Sequence, residues 1–542
     1  MLIRSNLVDI HRRSVYPAEI MVQNGRIASI REIPEKQKDF LLPGFIDAHV
    51  HIESSMVTPV AFSREVVRHG TVSVVSDPHE IANVLGREGV NFMVENARKT
   101  PLKICFGAPS CVPATNFESS GAELNAEEIR KLFKIPEIGF LSEMMNFPGV
   151  VNNDVDVLLK IRVARELGLP VDGHAPGLRG DDLTKYVAAG ISTDHECFTY
   201  EEAEEKIQQG MKILIREGSG ARNFNALIPL LRKYPEQIMF CTDDLHPDDL
   251  LRGHINKMVI RAVKEGYDLF DTLRAASWNA AKHYHLSTGM LRESDPADFI
   301  LVDSLEEMNV ISTFIDGRQV FERGEVKIEE TLTTRPNIFN IKPVTTGDLA
   351  IKKRGNRIRV IQALDGELIT NEKEQGVFEK EGMAIQNVEK DILKITVINR
   401  YQQQKPATGF IQGFLLKKGA IASSIAHDSH NIICVGASDN AMIQAINWII
   451  NHRGGIALSD ELHVEGLPLE IAGIMSAGSA SNAAEVYHSL TLQARKLGSE
   501  MKAPFMTLAF MALLVIPEIK LSDRGLFDGN KFSFVPLFSD QE

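Results

Sequence analysis

Short apolar runs, each closed by a polar or glycine-containing stretch, recur through the first 340 residues of the chain. Near the start, Ala18-Glu19-Ile20-Met21-Val22 and Arg26-Ile27-Ala28-Ser29-Ile30 flank Asn24-Gly25, a pattern that predicts a β-hairpin. A second β-rich stretch lies near 295–328 and turns at Asp316-Gly317. Between these two regions, eight runs read as strands: 45–52, 71–76, 103–108, 139–144, 170–174, 191–195, 211–217 and 238–242. Helical patterns follow them, for example over 155–167, 201–209 and 225–233, and after the last strand over 253–265. Alternating strands and helices are the mark of βα units.

Eight such strands in roughly 240 residues fit a closed barrel, although a doubly wound open sheet gives the same pattern strand by strand. The expected fold class is therefore α/β. A (β/α)8 TIM barrel would span 43–288, and a small β-sandwich domain would be built from the flanking segments 1–42 and 289–340. Beyond 340 the texture changes. A charged, β-like stretch (347–402) gives way to glycine-rich turns and helices such as 441–452 and 483–497, which predicts a C-terminal α+β domain over 341–542. No internal repeat or low-complexity tract is present.

The strand ends carry the chemistry. His49 and His51 close the first run, and residues i and i+2 of a strand share a face, so both imidazoles can serve one metal ion. Glu143, His174, His195 and Asp243 lie at or just past the ends of later strands. Ligands from successive C-terminal strand ends describe an active site on a barrel. A carboxylate at Glu143 can bridge two ions, with His174 and His195 serving the second. Two close ions lower the pKa of a shared water, and Asp243 is placed to take its proton. Asp77 and His79, after the second strand, are candidates for a further metal or for hydrogen bonds to substrate, against the alternative of an Asx-capped turn. Ser110, in Gly107-Ala108-Pro109-Ser110, lies near the expected pocket. In Ile425-Ala426-His427-Asp428-Ser429-His430-Asn431, the groups His427, Asp428 and His430 are candidates to close the site and bind substrate, against a loop that only stabilises itself. His254, His283 and His285 fall on helical patterns and are expected at the surface or at caps.

Composition narrows the partners. With 44% apolar and 24% charged residues, the chain is ordinary globular protein of 542 residues, long enough for two to four domains. A formal net charge of −13 disfavours nucleic acid and anionic membrane surfaces. Five scattered cysteines without C-x-x-C argue against a disulfide framework and for a cytoplasmic location. The longest apolar run, 505–516, ends at Pro517, is too short to span a bilayer and reads as a buried core helix. The expectation is a cytoplasmic homo-oligomer. The motifs G-x-x-x-x-G-K-[ST], G-x-S-x-G, H-E-x-x-H and P-C-x-x-C are all absent, which argues against P-loop enzymes, α/β hydrolases, zincins and zinc nucleobase deaminases.

The segment Leu42-Pro43-Gly44-Phe45-Ile46-Asp47-Ala48-His49-Val50-His51 resembles the opening strand of the amidohydrolase superfamily. More narrowly, His49-Val50-His51-Ile52-Glu53-Ser54-Ser55, Asp77-Pro78-His79-Glu80-Ile81-Ala82-Asn83 and Ala426-His427-Asp428-Ser429-His430-Asn431 resemble bacterial adenine deaminases, with a likeness that runs over the whole chain. The resemblance implies hydrolysis of adenine to hypoxanthine and ammonia in purine salvage, at a binuclear manganese or iron site. His49 and His51 would form the first metal pair and His174 and His195 the second, with Asp243 as the catalytic aspartate. Glu143 stands where many relatives carry a carboxylated lysine, and it or a nearby histidine would protonate the purine ring. A ligand set without cysteine suits Mn²⁺ or Fe²⁺ as well as Zn²⁺. The alternatives are another cyclic amidohydrolase or a purine or pterin deaminase on the same metal site, and a catalytically silent barrel acting as a binding subunit.

Overall fold

The computed structural model describes residues 1–540. The chain forms two compact units. The first takes in Met1–His79, Asn91–Ser110 and Asn125–Leu332; the second takes in Glu80–Val90, Cys111–Leu124 and the chain from Thr333 onward.

The first unit opens with β1 (Leu2–Asp9), β2 (Ser14–Gln23), β3 (Arg26–Glu32) and β4 (Phe40–Pro43). Asn24 and Gly25 link β2 to β3 with φ of 49° and 76°, and this double left-handed turn is the conformation that Asn-Gly favours. Next come β5 (Phe45–Val50), β6 (Thr71–Ser76), β7 (Lys103–Ala108), β8 (Ile138–Met144), β9 (Val171–Gly173), β10 (Thr193–Asp194), β11 (Lys212–Arg216) and β12 (Ile238–Cys241). The unit closes with β13 (Phe299–Val302), β14 (Val310–Ile315), β15 (Arg318–Glu322) and β16 (Glu325–Val326). The flanking strands join in one eight-stranded sheet of order β16-β15-β14-β13-β4-β1-β2-β3.

β5 to β9 form a curled parallel sheet in chain order, and β10 to β12 form a second parallel set. Backbone bonds run between the two sets. Ser192 N donates to Val171 O at 2.9 Å, and Asp243 N donates to His49 O at 2.9 Å. β5 and β6 are buried along their whole length, as expected for parallel strands covered by helices. Helix Ile255–Lys264 shows how that cover is encoded. It buries Ile255, Met258, Val259 and Ala262, the i, i+3, i+4, i+7 stripe, and each large apolar side chain so buried stabilises by about 1.5–3 kcal/mol. Gly173 lets β9 approach β10, because a Cβ there would stand 2.4 Å from the Thr193 carbonyl oxygen.

Two helical expectations are corrected. The segment 225–233 is two short helices, Phe224–Leu227 and Leu230–Lys233, because Pro229 has no N–H to continue the first. The segment 253–265 begins its helix only at Ile255, after Gly253 adopts extended backbone with φ 163° and ends the preceding helix Pro247–Arg252.

The second unit is built on a mixed eight-stranded sheet of order Thr370–Gly376, Arg357–Ala363, Ala407–Gln412, Leu393–Ile398, Ile432–Gly436, Ala420–Ser423, Gly455–Ser459 and Val464–Pro468. Helix Asp439–His452 packs Ala441, Met442, Ala445, Ile446 and Ile449 into a core with Ala420, Ala422, Ile432 and Cys434. The apolar run 505–516 is helical only over Pro504–Phe510; the Met511 carbonyl is taken instead by the Leu521 N–H of strand Ile519–Ser522. Among the described residues, no helix is long and apolar enough to cross a membrane.

That same strand buries Lys520 completely. Its ammonium donates to the carbonyl oxygens of Leu368 and Phe510, the latter at 3.1 Å. Burial pushes its pKa down from 10.5 to about 7. The unfolded chain therefore holds a proton that the folded chain has shed between about pH 7 and pH 10.5, so this residue makes stability rise with pH across that window. The cost is full below pH 7 and absent above the unfolded value. We expect Lys520→Met to flatten that rise. The variant's stability relative to the parent should be highest near pH 6–7 and should decline toward pH 10.5, on the order of a few kcal/mol in all, with the difference in Tm following it. Parallel Tm-against-pH curves for the two proteins would contradict it.

Candidate metal and catalytic site

The strand ends of the first unit converge. His49 lies in β5 and His51 just beyond it, Glu143 is the penultimate residue of β8, and His174 and His195 follow β9 and β10 directly. Asp243 follows β12 with φ 56°, a left-handed conformation that Asp tolerates. Its backbone is held on both sides, by Asp243 N to His49 O and by His51 N to Asp243 O at 3.2 Å.

Glu143 faces two ways. Its Oε1 lies 3.3 Å from His51 Nε2 and 3.8 Å from His49 Nε2. Its Oε2 lies 2.6 Å from His174 Nδ1 and 3.2 Å from His195 Nε2. Asp243 Oδ1 lies 3.0 Å from His51 Nε2 and 3.5 Å from His49 Nε2. The Nε2 atoms of His49 and His51 face each other at 3.2 Å. His51 Nδ1 bonds to the Asp77 carbonyl oxygen at 3.0 Å, which sets the tautomer and leaves Nε2 with its lone pair toward the centre.

The donor set fits divalent cations. These side chains are buried, His174 only partly, and their ligand atoms fall in groups within 4.8 Å: His49, His195 and Asp243; Glu143, His174 and His195; and His51, Asp77, His79 and Glu143. The charges point the same way. Burial alone would raise the Glu143 carboxyl, but His174 and His195 hold it well below the usual range. Burial opposes ionisation of Asp243 too, and Arg216 and the first histidine pair outweigh it. In return, despite burial, Glu143 raises His195 to about 9, and Asp243 and Glu143 raise His51. A site that holds protons this way exchanges them for a metal cation, since imidazole ligands bind metal in the neutral form. His49 is lowered, by burial first and by His195 next, and is ready to ligate as neutral imidazole.

The remaining sequence candidates take distinct places. Asp77 Oδ1 accepts from His79 N at 3.1 Å, an Asx turn, and Oδ2 stands 3.1 Å from His79 Nδ1. His79 Nδ1 is also 3.5 Å from Glu143 Oε1. Ser110 Oγ donates to the Glu143 carbonyl oxygen at 2.5 Å, so it steadies the end of β8. In the second unit, Glu80 stands between two histidines: His427 Nδ1 lies at 2.5 Å and His430 Nε2 contacts its other oxygen. All three are buried, as is Asp428. Burial lowers His430 against the pull of Glu80, and burial with Asp428 raises Glu118.

Several residues of this network escaped the sequence reading. His254, expected at a surface or cap, stands at the N-cap position of its helix but is buried, with Nε2 3.0 Å from Asp47 Oδ2 and Nδ1 2.8 Å from Thr71 Oγ1. Asp47 also accepts from the N–H groups of His49 and Thr242, so it ties β5 to the end of β12. Arg216 closes β11 and is buried against Asp243 and Glu196. Its signal was the one that marked the ligands, a charged residue ending an apolar strand, but a cation is not a ligand. Glu80 was visible in its motif, whereas its partners lie some 350 positions away in the chain.

Residues 40–320 match the model of the amidohydrolase family, and residues 367–533 match that of the adenine deaminase C-terminal domain. A protein of Sulfurovum sp. (strain NBC37-1) named adenine deaminase is 54% identical over 537 residues, covering 99% of each chain. A protein of the same name from the archaeon Methanosarcina mazei is 51% identical over 548 residues, again covering 99% of each, so the likeness is not confined to bacterial proteins. A third, from Salinibacter ruber, is 51% identical over 540 residues.

Because Glu143 reaches both histidine pairs, we expect Glu143→Ala to cost more metal affinity than loss of an outer-shell partner, which costs about 10–100-fold. Titration against a competing chelator, with circular dichroism as the folding control, measures it. Parent-like affinity would remove Glu143 from the ligand set.

Proposed function

The chain belongs to the amidohydrolase family, among its adenine deaminases, and we propose that it hydrolyses adenine to hypoxanthine and ammonia. The observation that carries a hydrolytic metal site is the double-faced Glu143, with one oxygen on His49 and His51 and the other on His174 and His195. The substrate is assigned by the relatives, named adenine deaminases over nearly the full chain. We read the ion set as binuclear, with Mn²⁺ or Fe²⁺ preferred and Zn²⁺ also accommodated by N and O donors. The architecture proposed around it is a closed (β/α)8 barrel over 43–288, a small β-sandwich domain from 1–42 and 289–340, and a C-terminal α+β domain over 341–542. The backbone bonds from Ser192 to Val171 and from Asp243 to His49, at the two seams between the parallel sets, support closure of the barrel.

His49, His51, Glu143, His174 and His195 would hold the divalent ions, which when bound would lower the pKa of a water toward neutrality and stabilise charge that develops on the substrate. The chain supplies the proton traffic. Water adds oxygen to adenine C6 and brings two protons, one of which must reach the ring nitrogen N1 and the other the departing amine. Asp243, with Oδ1 turned to the histidine pair, accepts a proton from the attacking water and delivers it to that amine. Glu143 or a neighbouring histidine relays the second proton of that water to N1, and so ends the step in the state in which it began. The C6–N bond then breaks, ammonia leaves, and hypoxanthine keeps the oxygen as its C6 carbonyl. We assign Asp77 and His79 to support of the metal centre and Ser110, His427, Asp428 and His430 to binding of the purine. For the last three, the support is that Glu80, which they surround or adjoin, directly follows His79 in the chain.

Ammonia release measured over a panel of adenine, guanine, cytosine, adenosine and a pterin tests this reading. We expect adenine to be preferred, activity to vanish on chelation, and Mn²⁺ or Fe²⁺ to restore it. Full activity in protein shown to be metal-free, or preference for another base, would refute it. Asp243→Asn should lower kcat on the order of 10²-fold or more and leave the fold intact. Near-parent turnover in that variant would exclude Asp243 as the base.

A further inference from the structure

We propose that Arg216, neutralised by Glu196, is a positioning residue that fixes which oxygen of Asp243 faces the reacting groups; this rests on the assignment of Asp243 as the base. The aspartate χ2 torsion is broad and two-fold, so the carboxylate plane is not set by the side chain itself. A base that must take a proton at one place and return it at another needs that plane held.

Arg216 supplies the hold. It is 2% exposed, and each nitrogen of its guanidinium is committed. Nε donates to the Ala221 carbonyl oxygen at 2.6 Å, Nη2 to Glu196 Oε2 at 3.3 Å, and Nη1 to both Glu196 Oε1 and Asp243 Oδ2, the latter at 2.6 Å. With Oδ2 pinned, Oδ1 is the oxygen left toward His51 and His49. Arginine suits this task because it stays charged and presents donors in a rigid planar fork, so it cannot rotate freely as an ammonium does.

The clamp is itself clamped. Arg216 N donates to Asn223 Oδ1 at 2.7 Å, and Asn223 Nδ2 donates to the His195 carbonyl oxygen at 3.0 Å. One network thus joins the ends of β10, β11 and β12, the strands that present His195, Arg216 and Asp243. Glu196 balances the cation, so the buried charge is compensated without drawing both oxygens of Asp243 away from the histidines.

Removing Arg216 alone would leave Glu196 buried and unpaired, so the test removes both charges. In metal-loaded Arg216→Met/Glu196→Gln, we expect kcat for adenine to fall on the order of 10²-fold, with KM within about twofold of the parent and divalent metal content unchanged. Arg216→Lys, which keeps the charge and loses the fork, should recover part of that loss. A double variant with parent-like kcat, or one whose lost activity is matched by lost metal, overturns the proposal. If the double variant does not fold, Arg216→Lys decides. A kcat loss of about tenfold or more at unchanged KM and metal content supports positioning, and parent-like kcat overturns it. A parent protein that does not deaminate adenine would refute the proposed function instead, so the two failures are told apart.

Discussion

One buried carboxylate organises the centre. Glu143 is held among four histidines that would otherwise repel one another in a medium of low polarity, and its two oxygens divide them into pairs. Every other feature of the site answers to that arrangement. Asp243 adds a second negative charge on the side of the first pair. Arg216 and Glu196 add one cation and one anion, so this pair leaves the net charge of the centre unchanged. A lone buried charge costs several kcal/mol, and this network leaves none of its members isolated.

The scaffold explains why such a network can be exact. Each of these groups sits at the end of a short strand whose flanks are packed, and the last residues are tied by backbone bonds across strands rather than left to loops. The carbonyl of His49, the carbonyl of Val50 and the N–H of His51 are all engaged with Asp77 or Asp243. Side chains on such ends have little freedom to drift, which is what acid–base chemistry over a few ångströms requires.

The local part of this design was legible in the chain. The apolar runs marked the parallel strands to within a few residues, since a buried strand leaves an uninterrupted apolar signature, and His49 and His51 announced themselves by their two-residue spacing. What was not legible is tertiary. That Arg216 meets Glu196 and Asp243, or that His254 meets Asp47, depends on three or more strands arriving together, and no periodicity carries that information. Two helix errors have a different origin. Pro229 and Gly253 lie inside the predicted helices, where the missing N–H of the one and the extended backbone of the other override the apolar pattern. Lys520 is the reverse case, a charged letter in a buried strand, where local composition predicts exposure and the surrounding sheet imposes burial.

The order of strands in the flanking sheet bears on how the chain is born. β4 pairs with β13 through Pro43 opposite Phe299 and Phe40 opposite Val302. At about 5–20 residues per second, the ribosome needs roughly 10–50 s to add the intervening chain. For that time, the nascent N-terminal hairpin and β4 present an unsatisfied edge. Such an edge is open to pairing with a neighbouring nascent chain. The parallel strands emerge in that interval, and the last piece to leave the ribosome for this unit is the one that seals the first. Synthesis of the parallel strands is thus framed by a sheet that cannot be completed until they are all in place.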